Sequence, residues 1–167
     1  MRKFSSSLLA ISFFIFTLCG CQSQAEPVKP NIVFESVATI KGNAINTQAK
    51  IVCASADDVS IEFMSPSSLK GLSYHKVNST LYIEYNGLKC TTVDDYLTSF
   101  NPLEIIFDAV ACVDFAKCKG NNDDNESLVF VGETPHGSIE LYVDSESGNI
   151  NRIEPSYTAC EIELVYE

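Results

Sequence analysis

"NPLEIIFDAVACVDFAKC", Asn101 to Cys118, is the stretch that decides the fold. The segments around it alternate between apolar and polar residues, whereas this one repeats with a helical period. Leu103, Ile106, Phe107 and Val110 fall on one helical face, with Val113 or Asp114 next along it. Asn101 is placed to cap the first turn. Pro102 suits the first helical position, where a missing N–H costs nothing, and Glu104 completes a box-like start. Lys117 and Lys119 suit the negative end of the helix dipole. The pattern predicts one amphipathic helix near 101–117, then an exposed acidic loop, "GNNDDNES", Gly120 to Ser127.

On both sides of this segment the period is two. "SIEFMS" (60–65), "TLYIEYN" (80–86), "SIELYVD" (138–144) and "CEIELVYE" (160–167) each place apolar side chains on one face and polar ones on the other. Lys41-Gly42-Asn43, Ser65-Pro66-Ser67, Val77-Asn78-Ser79, Asn86-Gly87 and Glu146-Ser147-Gly148-Asn149 carry turn chemistry between them. The expected strands are 32–41, 45–56, 58–65, 72–77, 80–85, 88–92, 128–133, 138–144, 150–155 and 159–166. Short connections imply an antiparallel meander. A helix with one apolar stripe must cover one face of the sheet, and so many short strands curl. The predicted class is mostly β (α+β): an open or half-closed barrel with one amphipathic helix packed on its concave face.

The chain has 167 residues, enough for one domain with a real core. Its formal charge is −11, and without the first 20 residues nine basic side chains face 22 acidic ones, −13. Nucleic-acid binding is excluded on that balance, because phosphate contacts need basic clusters. Anionic headgroups would repel such a chain, so membrane attachment must come from something hydrophobic.

Residues 1–30 supply it. Arg2 and Lys3 precede "LLAISFFIFTL", Leu8 to Leu18, an uncharged run too short to span a bilayer but of signal-peptide length. Leu18, Cys19, Gly20 and Cys21 follow. That sequence resembles the bacterial lipobox. The resemblance implies cleavage before Cys21, a diacylglyceryl group on its thiol, and frequent acylation of the new N-terminus. Residues 1–20 are then a signal peptide, 21–30 a lipidated N-terminus and polar tether, and 31–167 a single domain. Cys19 leaves with the signal. The expected location is the extracytoplasmic face of the cell membrane, or an outer membrane where the host has one.

Five cysteines remain in the body: Cys53, Cys90, Cys112, Cys118 and Cys160. The odd count leaves at least one thiol unpaired within the domain. Most read as structural thiols, with room for one cross-strand disulfide. Cys160 falls on an inward face, and Cys112 and Cys118 are too far apart to bridge along a continuous helix. No C-x-x-C occurs and His75 and His136 are isolated, so no metal-site spacing is present. The acidic runs at 123–126 and 144–148 do not follow the EF-hand order. No Ser/His/Asp or Cys/His arrangement points to catalysis. No catalytic residue, metal ligand or cofactor is expected.

"FMSPSSLKGLSYHKVNSTLYIEYNGLKC", Phe63 to Cys90, carries a second resemblance. Phe63, Ser65, Pro66, Leu69, Gly71 and Leu72, then Tyr85, Gly87 and Leu88, are similar to a segment of the outer-membrane lipoprotein carrier (LolA/LolB-like) superfamily. The resemblance covers most of the mature chain. It implies a half-barrel with a helix lid over an apolar concave face that holds acyl chains. This chain differs in lacking a long N-terminal helix, in having one lid-like helix, and in being itself lipidated. Phe63, Leu72, Tyr74, Ile83, Phe107 and Val110 are the candidates to line such a cavity. Sequence cannot separate a pocket from a core, and the same six residues read first as an ordinary close-packed core. The two functional readings are therefore a non-enzymatic anchored lipoprotein that binds a lipid or acyl chain, and an anchored interaction module with a solid core and an exposed sheet edge.

Overall fold

The computed structural model describes residues 28–42, 46–93, 97–99, 101–121 and 127–166. Strands β1 (Phe34–Lys41), β2 (Asn46–Ser55), β3 (Asp58–Phe63), β4 (Ser73–Val77), β5 (Thr80–Tyr85) and β6 (Leu88–Val93) come first. Helix α1 (Pro102–Cys112) and a 3₁₀ turn (Val113–Phe115) follow. Strands β7 (Lys117–Asn121), β8 (Ser127–Thr134), β9 (Gly137–Asp144), β10 (Ile150–Pro155) and β11 (Glu161–Val165) complete the fold.

All eleven strands form one antiparallel sheet in the order β6-β5-β4-β3-β2-β1-β11-β10-β9-β8-β7. The chain starts in the middle, walks out to β6, crosses one face as α1, and walks back from β7 to close beside its own first strand. Val37 to Lys41 pair with Val165 to Glu161 at that seam. β6 and β7 are the two edges, so the sheet is an open half-barrel, with one α-helix among the described residues. This is the predicted class.

Alternation builds the concave face. β1 buries Phe34, Ser36, Ala38 and Ile40, β2 buries Thr47, Ala49, Ile51 and Cys53, and β9 buries Ile139, Leu141 and Val143. The turns behave as their chemistry dictates. Asn86 and Gly87 join β5 to β6 with φ of 50° and 79°, the left-handed pair of a tight hairpin.

The helix differs from expectation in length and in face. It stops at Cys112, and the chain is extended by Ala116, with ψ of 142°. Residues 117–121, expected as a helix end and loop, are instead edge strand β7, paired with β8 from Lys117↔Val131 to Asn121↔Leu128. The period of two is short there: Cys118 leans on the core while Lys117 and Lys119 are exposed. The lysines serve as charged guards on a sheet edge, not as dipole partners. The buried arc of α1 is also wider than the predicted stripe. Leu103, Ile105, Ile106 and Ala109 are fully buried, Val110 and Cys112 nearly so, and Phe107 is half-buried. Asn101 caps as predicted, accepting from the Leu103 N–H at 2.9 Å.

α1 packs on β3, β8 and β10. Gly132 on β8 permits that approach: a Cβ there would stand 2.9 Å from the Cβ of Cys112 and still closer to its Sγ. Gly132→Ala is expected to destabilise the domain by about 1–3 kcal/mol through overpacking. Urea denaturation measures this, and adding Cys112→Ala to the same chain is expected to recover part of the loss.

Candidate functional site

Of the six predicted cavity residues, Phe63, Tyr74 and Ile83 lie on strands, Leu72 just before β4, and Phe107 and Val110 on α1 itself. Phe63 and Val110 are buried in the core. Leu72, Tyr74, Ile83 and Phe107 are half-buried and packed against it. Phe63 and Tyr74 meet edge-to-face at 6.0 Å between ring centroids, a favourable aromatic arrangement. Tyr74 and Ile83 are direct cross-strand partners on β4 and β5. The β4–β5 flank of the helix is thus an apolar strip that remains partly open, while the surface beneath α1's inward residues is filled.

A buried ion pair latches the helix to this flank. Lys76, on β4, presents Nζ to Glu104 Oε2 at 2.7 Å, with their side chains only 4% and 12% exposed. The same ammonium lies 4.0 Å from the centroid of the Phe107 ring, within cation–π range. Sequence reasoning missed this pair. The sequence marks each partner but not their meeting: alternation through Tyr74 and Lys76 puts a lysine on an inward position, and Glu104 lies within an apolar first turn. The capping box expected at Glu104 does not form. The Asn101 N–H instead goes to the Thr98 carbonyl at 2.8 Å, and Glu104 reaches Lys76.

A hollow of about 550 Å³ lies on the other face of the sheet, lined by Lys50, Glu62, His75, Tyr82, Glu84 and Lys89 among others. Registers Ser60↔His75 and His75↔Tyr82 align its floor. Its nitrogen-bearing side chains meet carboxylates across strands: Lys50 with Glu35 at 2.6 Å, Lys89 with Glu84 at 2.9 Å, and His75 with Asp58 at 2.7 Å. Exposed pairs of this kind add little stability. No group of three or more His, Cys, Asp or Glu able to hold a metal ion occurs among the described residues.

The five body cysteines are all free. The cross-strand disulfide for which the sequence left room does not form, because none of the five faces another. Cys53 pairs with Phe34 and Val59, Cys90 with Ile83, and Cys118 with Phe130. Cys160 is inward and buried, as its alternation implied. Burial pushes the thiols of Cys53, Cys112 and Cys160 up to about 11. The Cys112 Sγ also donates to the Ala109 carbonyl at 3.2 Å. At neutral pH these three are protonated and inert. A maleimide is therefore expected to modify exposed Cys90 first and half-buried Cys118 more slowly, and to reach the other three only on unfolding. Peptide mass spectrometry of a labelling time course checks this order.

Leu18, Cys19, Gly20 and Cys21, with the rest of residues 1–27, lie outside the described residues. No described helix is long and apolar enough to cross a membrane.

No protein-family model matches the chain, and no curated protein matches it. Solved structures do. One is a conserved protein from Thermus thermophilus, 15% identical, covering 80% of this chain and 77% of that one, with a TM-score of 0.46. Another is a LolA superfamily protein from Nitrosomonas europaea, 9% identical, covering 83% and 86%, with a TM-score of 0.46. A third is a chain in the complex of the CwlD amidase with the GerS lipoprotein from Clostridioides difficile, 14% identical, covering 93% and 88%, with a TM-score of 0.43. The open half-barrel with a helix on its concave face, expected from the Phe63–Cys90 segment, is the architecture this chain itself adopts.

Proposed function

We propose that the chain is an extracytoplasmic lipoprotein, anchored through acyl chains on Cys21, whose half-barrel binds a lipid or acyl chain along the β4–β5 flank of α1. No reaction is assigned to it. The observation that carries this reading is the half-exposed apolar strip that Leu72, Tyr74 and Ile83 form with Phe107 of a helix held by a buried ion pair. Such a strip is continuous with the core, so an acyl chain laid on it exchanges water for apolar contact at about 0.8 kcal/mol per methylene. The lipobox-like sequence and the acidic body agree with attachment by acyl chains rather than by charge.

A second reading has its own support. Leu103, Ile105, Ile106 and Ala109 are fully buried, so the helix covers a filled interior. An anchored interaction module with a solid core would look the same there. Extraction of the Cys21→Ser chain, expressed behind a secretory signal that replaces residues 1–20 and purified without detergent, distinguishes the two. Lipid binding predicts about one apolar molecule per chain by mass spectrometry, falling on Phe107→Glu. A lipid-free chain with intact melting behaviour leaves the interaction module.

A further inference from the structure

We infer that one end of the half-barrel, the one formed by the β2–β3, β4–β5 and β9–β10 turns, faces the bilayer, and that the opposite end faces away from it. This rests on the proposed lipidation of Cys21, and the observation that carries it is the seat of the tether.

Val28 to Asn31 lie against the turn between β9 and β10. The Asn31 N–H donates to the Gly148 carbonyl at 2.7 Å, and the Asn31 side chain reaches Asn149 Oδ1 at 3.4 Å. Pro30 is buried. Gly148 has φ of +76°, and a Cβ there would fall 2.7 Å from the Lys29 carbonyl oxygen and 3.1 Å from a Val28 methyl. Glycine is thus needed twice, for the left-handed turn and for the passage of the tether over it. The turn is firm in itself. Asp144 accepts from the N–H groups of Glu146 and Ser147 and from the Ser147 hydroxyl, at 3.1, 2.7 and 2.8 Å. These bonds hold its carboxyl below the usual range.

The registers place this turn at a defined end of the sheet. Asp144 pairs with Ser127 and Ile150 with Val143. Across the seam, Phe34 pairs with Cys53, Ser55 with Asp58, Asp58 with Val77, and Val77 with Thr80. The 55–58, 77–80 and 144–150 turns therefore share one end. The 64–72 loop and the 86–87 and 135–136 turns share the other.

The magnitudes decide the orientation. Cys21 to Val28 is seven residues, which reach about 25 Å at full extension. β2, ten residues long, spans about 33 Å. A tether leaving at the β9–β10 turn holds that end near the bilayer and is too short to seat the far end there instead. The near end carries Asp57, Asp58, Asp144 and Glu146. It stays hydrated against the headgroups and does not insert. The 64–72 loop and the hairpin turns at the far end are presented to the aqueous space.

The test uses the full lipidated chain in phosphatidylcholine vesicles carrying a headgroup-labelled energy acceptor. A donor is placed on an azido residue at Ser79, near end, or at Ser67, far end, leaving the native thiols untouched. The expected result is co-flotation of both proteins, with quenching at position 79 several-fold stronger than at position 67. Gly148→Val, which expels the tether from its seat, is expected to shrink that difference while the melting curve still shows a folded domain. Co-flotation with equal or reversed quenching overturns the orientation alone. Failure to float overturns the lipid anchor, and the orientation with it.

Discussion

Lys76→Met is expected to lower the stability of the domain by about 3–5 kcal/mol, because removing one partner of a buried pair leaves the other buried charge undercompensated. Glu104 would keep its carboxylate on the inward side of α1, where only 12% of its side chain meets solvent. Phe107 would lose the cation above its ring. A loss of that size is a large share of the roughly 5–15 kcal/mol that holds a typical domain together. The double change Lys76→Met with Glu104→Leu removes both charges at similar volume and is expected to recover most of the loss. Urea denaturation at neutral pH reads the wild-type chain and both variants. A single-variant loss below about 1 kcal/mol, the scale of exposed pairs, would show that the pair is not desolvated as the geometry requires.

Cys21→Ser, expressed behind a secretory signal that replaces residues 1–20, is expected to move the protein from almost wholly membrane-bound to almost wholly soluble. One acyl chain binds only marginally, and two or three give stable anchoring, at about 0.8 kcal/mol per buried methylene. The body offers no substitute: without the first 20 residues its formal charge is −13, and no described helix is long and apolar enough to span a bilayer. Cys19→Ala is the control. It removes the neighbouring thiol from a position that the proposed cleavage would discard, and is expected to leave membrane attachment intact. Flotation of membranes after cell lysis measures both. Release by Cys19→Ala and retention by Cys21→Ser would contradict the assignment.

Most of the sheet was legible because its face alternates without interruption. β1, β2, β3 and β9 each bury every second residue, and the Asn86-Gly87 and Gly148 turns sit where their left-handed preferences require. The helix was legible in existence and in its cap, but not in its end. Val113, Phe115 and Cys118 extend an apolar pattern that fits either period over so few residues, and only pairing with β8 decides that Lys117–Asn121 is a strand. The latch was not found because Lys76 and Glu104 lie 28 residues apart, and nothing local says they meet. The thiol arrangement was equally hidden: an odd count permits a bridge, and only the folded chain shows that all five body cysteines are free. The tether's seat depends on Gly148 meeting Val28 and Lys29 across almost the whole chain. For the predicted cavity residues, alternation and helical period reveal membership of the inward face. Their partial exposure beside α1 depends on where the helix stops and which flank it covers.

The central claim is an acyl-anchored half-barrel, and intact-mass spectrometry of the mature protein extracted from its native membranes tests it most directly. The expected species begins at Cys21 and carries a diacylglyceryl group on that residue, with or without a further acyl chain on its amine. A mature chain with an unmodified Cys21, or one that begins at another residue, would contradict the account.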